Sequence, residues 1–241
     1  MILILAGTTE GRALAELCAK KGVPVIASLA GATADPRPYP VPLRVGGFGG
    51  ADGFLAYLRD NGIRAVVDAT HPFAQKITDR TADLCSKIGL PYLRFERPGW
   101  VQGDKDNWTW VERAAEAAAL VPPTATVFLA TGRQSLPEFY GLTARRVLVR
   151  VVDPPQGAGP IQNINWIVDR GPFDYASEVA LFIREKVDVV VTKDAGGSGA
   201  RAKLDAARDL GIPVILLRRS AAPDAPMVQD IGQAMEWITR L

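Results

Sequence analysis

The chain has 241 residues, 48% hydrophobic and 22% charged, with 28 Lys and Arg against 26 Asp and Glu for a formal net charge of +2. That composition is globular and excludes a disordered chain, and a charge so near neutral gives no ground for binding nucleic acid. Its apolar runs are too short to cross a bilayer, and two cysteines with a single histidine leave no cluster for a metal. The length suits two domains of roughly 100–130 residues better than one. Met1 opens straight into an apolar run with no basic segment before it, so no signal peptide is expected and a cytoplasmic location is. Cys18 and Cys85 fall in helical patterns and read as small buried hydrophobes of a reducing compartment.

In chain order, the first half predicts a strand over 2–5, a helix over 10–21, strands over 25–30 and 43–45, and a helix over 52–61. A strand over 65–69, a helix over 74–88 and a strand over 91–95 complete it. Gly22, Gly62 and Gly89 stand just past the three helices, where a left-handed cap belongs. Residues 97–107, with Pro98, Gly99 and Gly103, read as a link. The second half predicts a helix over 112–120, a strand over 126–129, a short helix over 135–140 and a strand over 146–151. Then come a loop over 153–159, a helix over 175–185, a strand over 187–192, a helix over 200–210, a strand over 213–217 and a final helix over 230–241. Strands alternating with helices predict parallel sheets, hence an α/β fold of two doubly wound domains, 1–100 and 101–241. Such folds bind ligands at the carboxyl ends of their strands, and the informative motifs all stand there.

Gly7-Thr8-Thr9-Glu10-Gly11-Arg12 follows the first strand. Its glycines permit close backbone approach, and the amides opening a helix attract phosphate; the plain alternative is a tight turn with a Thr N-cap. After the second strand, where an NAD site carries an acid to grip the ribose, stand Ser28, Leu29, Ala30 and Gly31. No carboxylate repels a 2′-phosphate there, and Arg37 and Arg44 are in reach, which favours NADPH. Gly46, Gly47, Phe48, Gly49 and Gly50 form either a backbone able to fold against a flat ligand, with Phe48 as a wall, or a flexible loop. Asp68-Ala69-Thr70-His71-Pro72-Phe73-Ala74 ends a strand and holds the histidine, which serves either as a structural hydrogen-bonding group or in the site.

In the second half, Thr131-Gly132-Arg133 ends one strand. Lys193, Gly196, Gly197, Ser198, Arg201 and Lys203 cluster after another. Glycine amides and cations converging at one helix start make an anion cradle on physical grounds; the alternative is a glycine-rich turn.

Taken together, LAGTTEG (5–11), GGFGG (46–50), DATHPFA (68–74), TGR (131–133) and TKDAGG (192–197) resemble the precorrin-6A reductases in order and spacing along essentially the whole chain. One departure is visible: Arg218, Arg219 and Ser220 stand where that family's pattern has an Arg-Pro pair. The resemblance implies two Rossmann-like domains, the first holding NADPH and the second a tetrapyrrole. It implies reduction of precorrin-6A to precorrin-6B in cobalamin biosynthesis, with hydride delivered to C19 and a proton to C18. Under it, Gly7, Thr8, Thr9, Gly11 and Arg12 take the pyrophosphate, and Ser28 and Arg44 the adenosine end. Gly46, Gly47, Phe48, Thr70, His71 and Pro72 line the nicotinamide. Arg133, Lys193, Gly196, Gly197, Ser198, Arg201 and Lys203, with Arg97, hold carboxylates of the macrocycle. His71 is the candidate proton donor, with water or a ring carboxylate as the alternative. Hand-off of product to the next pathway enzyme is the one protein partnership implied. The rival readings are a cobalt-precorrin-6A reductase using NADH, a ring-closing tetrapyrrole synthase, and a non-enzymatic nucleotide-binding regulator. The Pro- and Gly-rich loop 153–159 reads as a lid over the macrocycle or as an idle connector.

Overall fold

A computed structural model describes the protein except for residues 32–37, 153–160, 162, 170 and 172. Arg37 and the expected lid 153–159 therefore lie outside the described residues. In chain order the elements are β1 (Ile2–Leu5), α1 (Thr9–Lys20), β2 (Val25–Leu29), β3 (Leu43–Val45), α2 (Gly50–Asp60), β4 (Ala65–Asp68), α3 (Gln75–Lys87) and β5 (Tyr92–Phe95). Then come β6 (Trp108–Val111), α4 (Ala114–Leu120), β7 (Thr126–Ala130), a 3₁₀ helix (Arg133–Phe139), β8 (Arg146–Val151) and β9 (Ile164–Val168). The chain ends with α5 (Tyr175–Glu185), β10 (Val189–Lys193), α6 (Ala202–Asp209), β11 (Val214–Leu217), β12 (Met227–Val228) and α7 (Ile231–Thr239).

Among the described residues the strands form two six-stranded sheets, ordered β12-β5-β4-β1-β2-β3 and β6-β11-β10-β7-β8-β9. Neighbouring strands run parallel throughout. Fully parallel sheets need cover on both faces, which explains why central strands such as Ile2–Leu5 are apolar at every position and entirely buried. The fold is α/β and Rossmann-like, as the alternation of strands and helices predicts.

Two compact units result, Met1–Pro98 with Ser220–Leu241, and Gly99–Arg219. The C-terminal segment was expected in the second domain; it belongs to the first. β12 pairs with β5, and Ala234, Met235 and Ile238 of α7 join Ile2, Ile4, Leu14 and Cys18 in one core. Three strands escape a reading by pattern: β6, β9 and β12. Each is a sheet edge with a single neighbour, so its alternation is weak, and β12 has only two residues. The expected helix over 135–140 is instead the 3₁₀ helix, which contains Pro137.

Inside α2, a Cβ on Gly53 would lie 1.8 Å from the carbonyl oxygen of Phe48. Backbone cannot yield as a side chain does, so Gly53→Ala is expected to destabilise the first unit by about 1–3 kcal/mol. A urea midpoint equal to the wild type's would show that the turn before α2 yields freely.

Candidate functional site

In the first unit the chain runs from β1 outward to β2 and β3, then returns to place β4 on the other side of β1. Such a reversal, here between β1 and β4, marks the carboxyl-end position where open parallel sheets bind ligands. The loop after β1 stands there. Gly7 holds φ +133°, with open space where a side chain would project. Thr8 caps α1: its Oγ1 accepts from the Gly11 amide at 3.0 Å and donates to the Ala69 carbonyl at 2.8 Å. Gly11 packs the helix onto the sheet, since a Cβ there would sit 3.0 Å from the Ala69 Cβ. Close helix–strand contact of this kind is what the last glycine of a dinucleotide turn provides. Arg12 donates to the Pro38 carbonyl and lies 4.1 Å over the Tyr39 ring.

At the end of β2, Ser28 is buried and accepts a hydrogen bond from Arg44 Nη1 at 3.1 Å. The Arg44 guanidinium also donates to the carbonyls of Gly46 (2.6 Å) and Gly47 (2.7 Å) and covers the Phe48 ring at 3.8 Å. Phe48 packs edge-on against Phe54 and Tyr57, so its ring belongs to the rim of the core as well as to the glycine loop. Of the five N–H groups of Arg44, these contacts leave Nε–H and one on Nη2 among the described residues.

At the end of β4 a buried network that the sequence does not announce holds the next turn. Arg94 of β5, 1% exposed, donates to Asp68 Oδ1 at 2.9 Å and to Thr70 Oγ1 at 3.1 Å, and pairs with Glu96. Tyr92 donates its hydroxyl to Asp68 Oδ2 at 2.9 Å, and the Thr70 amide donates to Asp68 Oδ1 at 3.0 Å. Burial, with the Asp68 carboxylate beside it, pushes the Tyr92 hydroxyl strongly up. The signal available to sequence reasoning was an arginine and an aspartate at the ends of two apolar strands. The His71 ring follows: its Nδ1 accepts from the Phe73 amide at 3.2 Å, so a neutral ring carries its proton on Nε2. Pro72 is buried beside it. Arg97 forms an ion pair with Glu10 in the first turn of α1.

The second unit repeats the arrangement. From β7 the chain proceeds outward to β8 and β9, then returns to place β10 on the other side of β7. The reversal lies between the carboxyl ends of β7 and β10, where both motifs of this half stand. Thr131 is buried and its hydroxyl has no hydrogen-bond partner among the described residues; Gly132 and Arg133 are exposed. Lys193 ends β10, and burial lowers its amine, with Glu138 opposing. Gly196 and Gly197 both hold φ +66°, a left-handed pair open to few residues besides glycine. Ser198 is exposed. Arg201 is held by Asp205 (3.1 Å) and Asp106 (3.4 Å).

Lys203 departs from the expectation. It is buried, its Nζ donates to the Ala200 carbonyl at 2.6 Å, and it lies 5.0 Å from the Trp100 ring centre. Burial pushes its amine down to about 8, with the Glu178 carboxylate opposing and Arg150 adding to the fall. The ammonium faces the interior because position 203 falls on the buried face of α6 with Leu204, Ala206 and Ala207.

The two parallel six-stranded sheets, each with a strand reversal, define a Rossmann-like α/β protein. Residues 1–239 match the family of precorrin-6x reductases, CbiJ/CobK. The chain is 44% identical to the precorrin-6A reductase of Rhodococcus erythropolis over 100% of this chain and 98% of that protein. It is 41% identical to that of Rhodobacter capsulatus over 98% and 95%. A solved structure of CobK precorrin-6A reductase superposes with a TM-score of 0.94 at 40% identity, covering 99% of this chain and 96% of that one. The chain belongs to the precorrin-6x reductase family.

Proposed function

We propose that this protein is an oxidoreductase of cobalamin biosynthesis that reduces precorrin-6A to precorrin-6B with NADPH. The observation that carries the coenzyme half of this reading is Ser28 with Arg44 at the end of β2, a hydroxyl and a guanidinium in the place of a ribose-binding acid. A guanidinium there attracts a 2′-phosphate, which an acid would repel. The open Gly7 backbone, the Thr8 cap and the amides opening α1 suit a pyrophosphate, with Thr9, Gly11 and Arg12 beside it. The residues present thus fit NADPH, which supplies a hydride when bound.

Gly46, Gly47, Phe48, Thr70, His71 and Pro72 border the nicotinamide in this reading. The Phe73 amide bond to Nδ1 favours His71 as a neutral hydrogen-bond donor through Nε2. The proton for C18, with hydride going to C19, then comes from water or a ring carboxylate. In the second unit Arg133, Lys193, Gly196, Gly197, Ser198 and Arg201 hold substrate carboxylates by charge-assisted bonds. The buried Lys203 supports the loop from within instead.

The test is direct. Full-length protein mixed with NADPH and precorrin-6A should consume coenzyme and change the pigment spectrum in step, and faster than with NADH or with cobalt-precorrin-6A. Coenzyme bound with no turnover would overturn the enzymatic reading in favour of a nucleotide-binding regulator. Ser28→Asp should weaken NADPH by roughly ten- to a hundredfold, the scale of about 1.5–3 kcal/mol for one charged hydrogen bond. Unchanged affinity in a coenzyme titration would place the 2′-phosphate elsewhere.

A further inference from the structure

The two strand reversals share a device. In each unit the strand that follows the reversal leads into the same dipeptide: Asp68-Ala69 ends β4, and Asp194-Ala195 follows β10. Each aspartate meets an arginine from the neighbouring outer chain. Asp68 is in register with Arg94 of β5, and Arg219, just past β11, reaches Asp194 Oδ2 at 3.3 Å and its carbonyl at 3.0 Å. Each also accepts a hydrogen bond from an aromatic residue, Asp68 from a side-chain hydroxyl and Asp194 from a backbone amide. Tyr92 bonds Asp68. Trp100 donates its amide to Asp194 Oδ1 at 2.9 Å and its indole Nε1–H to the Gly197 carbonyl at 2.8 Å. Gly99 leaves room for the Asp194 carboxylate, since a Cβ there would lie 2.5 Å from Oδ2.

Buried ion pairs are weak devices for stability, and their better-attested use is to select one arrangement. Here Asp68–Arg94 is bonded to Thr70 of the loop that follows it, while Asp194–Arg219 fixes the first residue of its loop and Trp100 holds that loop at Gly197. Thr70 is fixed through its amide by Asp68 and through its hydroxyl by Arg94. The 194–197 segment is fixed at Asp194 and at Gly197. We propose that Asp68–Arg94 and Asp194–Arg219 are matched braces that position the two ligand loops, neither touching a ligand itself. The proposal rests on the reading that these loops take NADPH and the macrocycle.

Arg94→Lys and Arg219→Lys keep the charge but lose the planar fork that reaches several acceptors at once. Each would be made in the full chain, with NADPH and precorrin-6A affinities measured in separate titrations. Arg94→Lys is expected to weaken NADPH by roughly tenfold and leave precorrin-6A within about twofold, and Arg219→Lys to do the reverse. Folded variants that bind both ligands like the wild type overturn the proposal, as do variants that weaken both ligands equally, the mark of general loosening. A crossed pattern, in which Arg94→Lys weakens precorrin-6A alone, upholds the braces and overturns the assignment of ligand to unit. If a lysine variant does not fold, Tyr92→Phe removes the hydroxyl donor to Asp68, and Trp100→Phe removes the indole donor to the Gly197 carbonyl. Their expected pattern is the same and smaller, and wild-type affinity for both ligands in both variants overturns the braces.

Discussion

Replacing Arg150 by methionine is expected to destabilise the second unit by about 3–5 kcal/mol, the usual result of stranding one member of a buried ion pair. Arg150 of β8 grips Glu178 of α5 through two bonds, 2.6 Å to Oε1 and 2.9 Å to Oε2. Its guanidinium also lies 3.9 Å from the Phe173 ring centre. Glu178 is only 2% exposed, so its carboxylate cannot regain water when the arginine goes. Adding Glu178→Leu to Arg150→Met should recover part of the loss, because no carboxylate is left stranded, although Lys203 then loses the Glu178 charge that opposes its burial. Denaturant unfolding of the two single variants and the double closes the cycle. A single variant costing under about 1 kcal/mol, or a double no better than the single, would show that water reaches Glu178.

The second large effect is a pH dependence centred on Lys203. Burial holds its amine at about 8 in the folded protein, against an ordinary value of 10.5. Below pH 8 both folded and unfolded chains carry the proton, and the full cost of the buried charge is present. Between 8 and 10.5 the unfolded chain binds more protons than the folded one, so stability rises with pH. Above 10.5 the cost is gone. The interval corresponds to about 3 kcal/mol. Unfolding free energies measured from pH 7 to 10.5 should therefore show the wild type gaining about that amount on Lys203→Met, so that a lead of the variant at pH 7 closes as the amine loses its proton. Parallel curves would place the amine in water.

Local features of the fold were legible because they depend on neighbours in sequence. Gly22, Gly62, Gly89 and Gly211 follow their helices with φ between +57° and +68°, as a left-handed cap requires. The central strands were legible because burial on both faces leaves nothing but apolar residues. The candidate site was legible in outline for a related reason: its loops carry glycine, threonine and basic residues directly after those strands, and α/β sheets bind ligands there. The basic cluster after β10 was legible only as a list. Arg201 and Lys203 stand two residues apart, yet one meets Asp106 and Asp205 while the other points inward.

The sequence by itself determined the class of fold, the position of nearly every helix and central strand, and the loops where chemistry is expected. Each depends on hydrophobic period, glycine geometry or the residue after a strand, all carried within a dozen residues. Only the tertiary structure decided that residues 220–241 complete the first unit, where β12 finds β5 and α7 joins the core with α1. It alone decided the strand reversals that face Gly7 with Thr70 and Thr131 with Gly196, and the pairing of Asp68 with Arg94 and Asp194 with Arg219. An apolar helix face fits any sheet and a buried arginine any carboxylate, so partners distant in sequence are chosen only when the whole core closes around them.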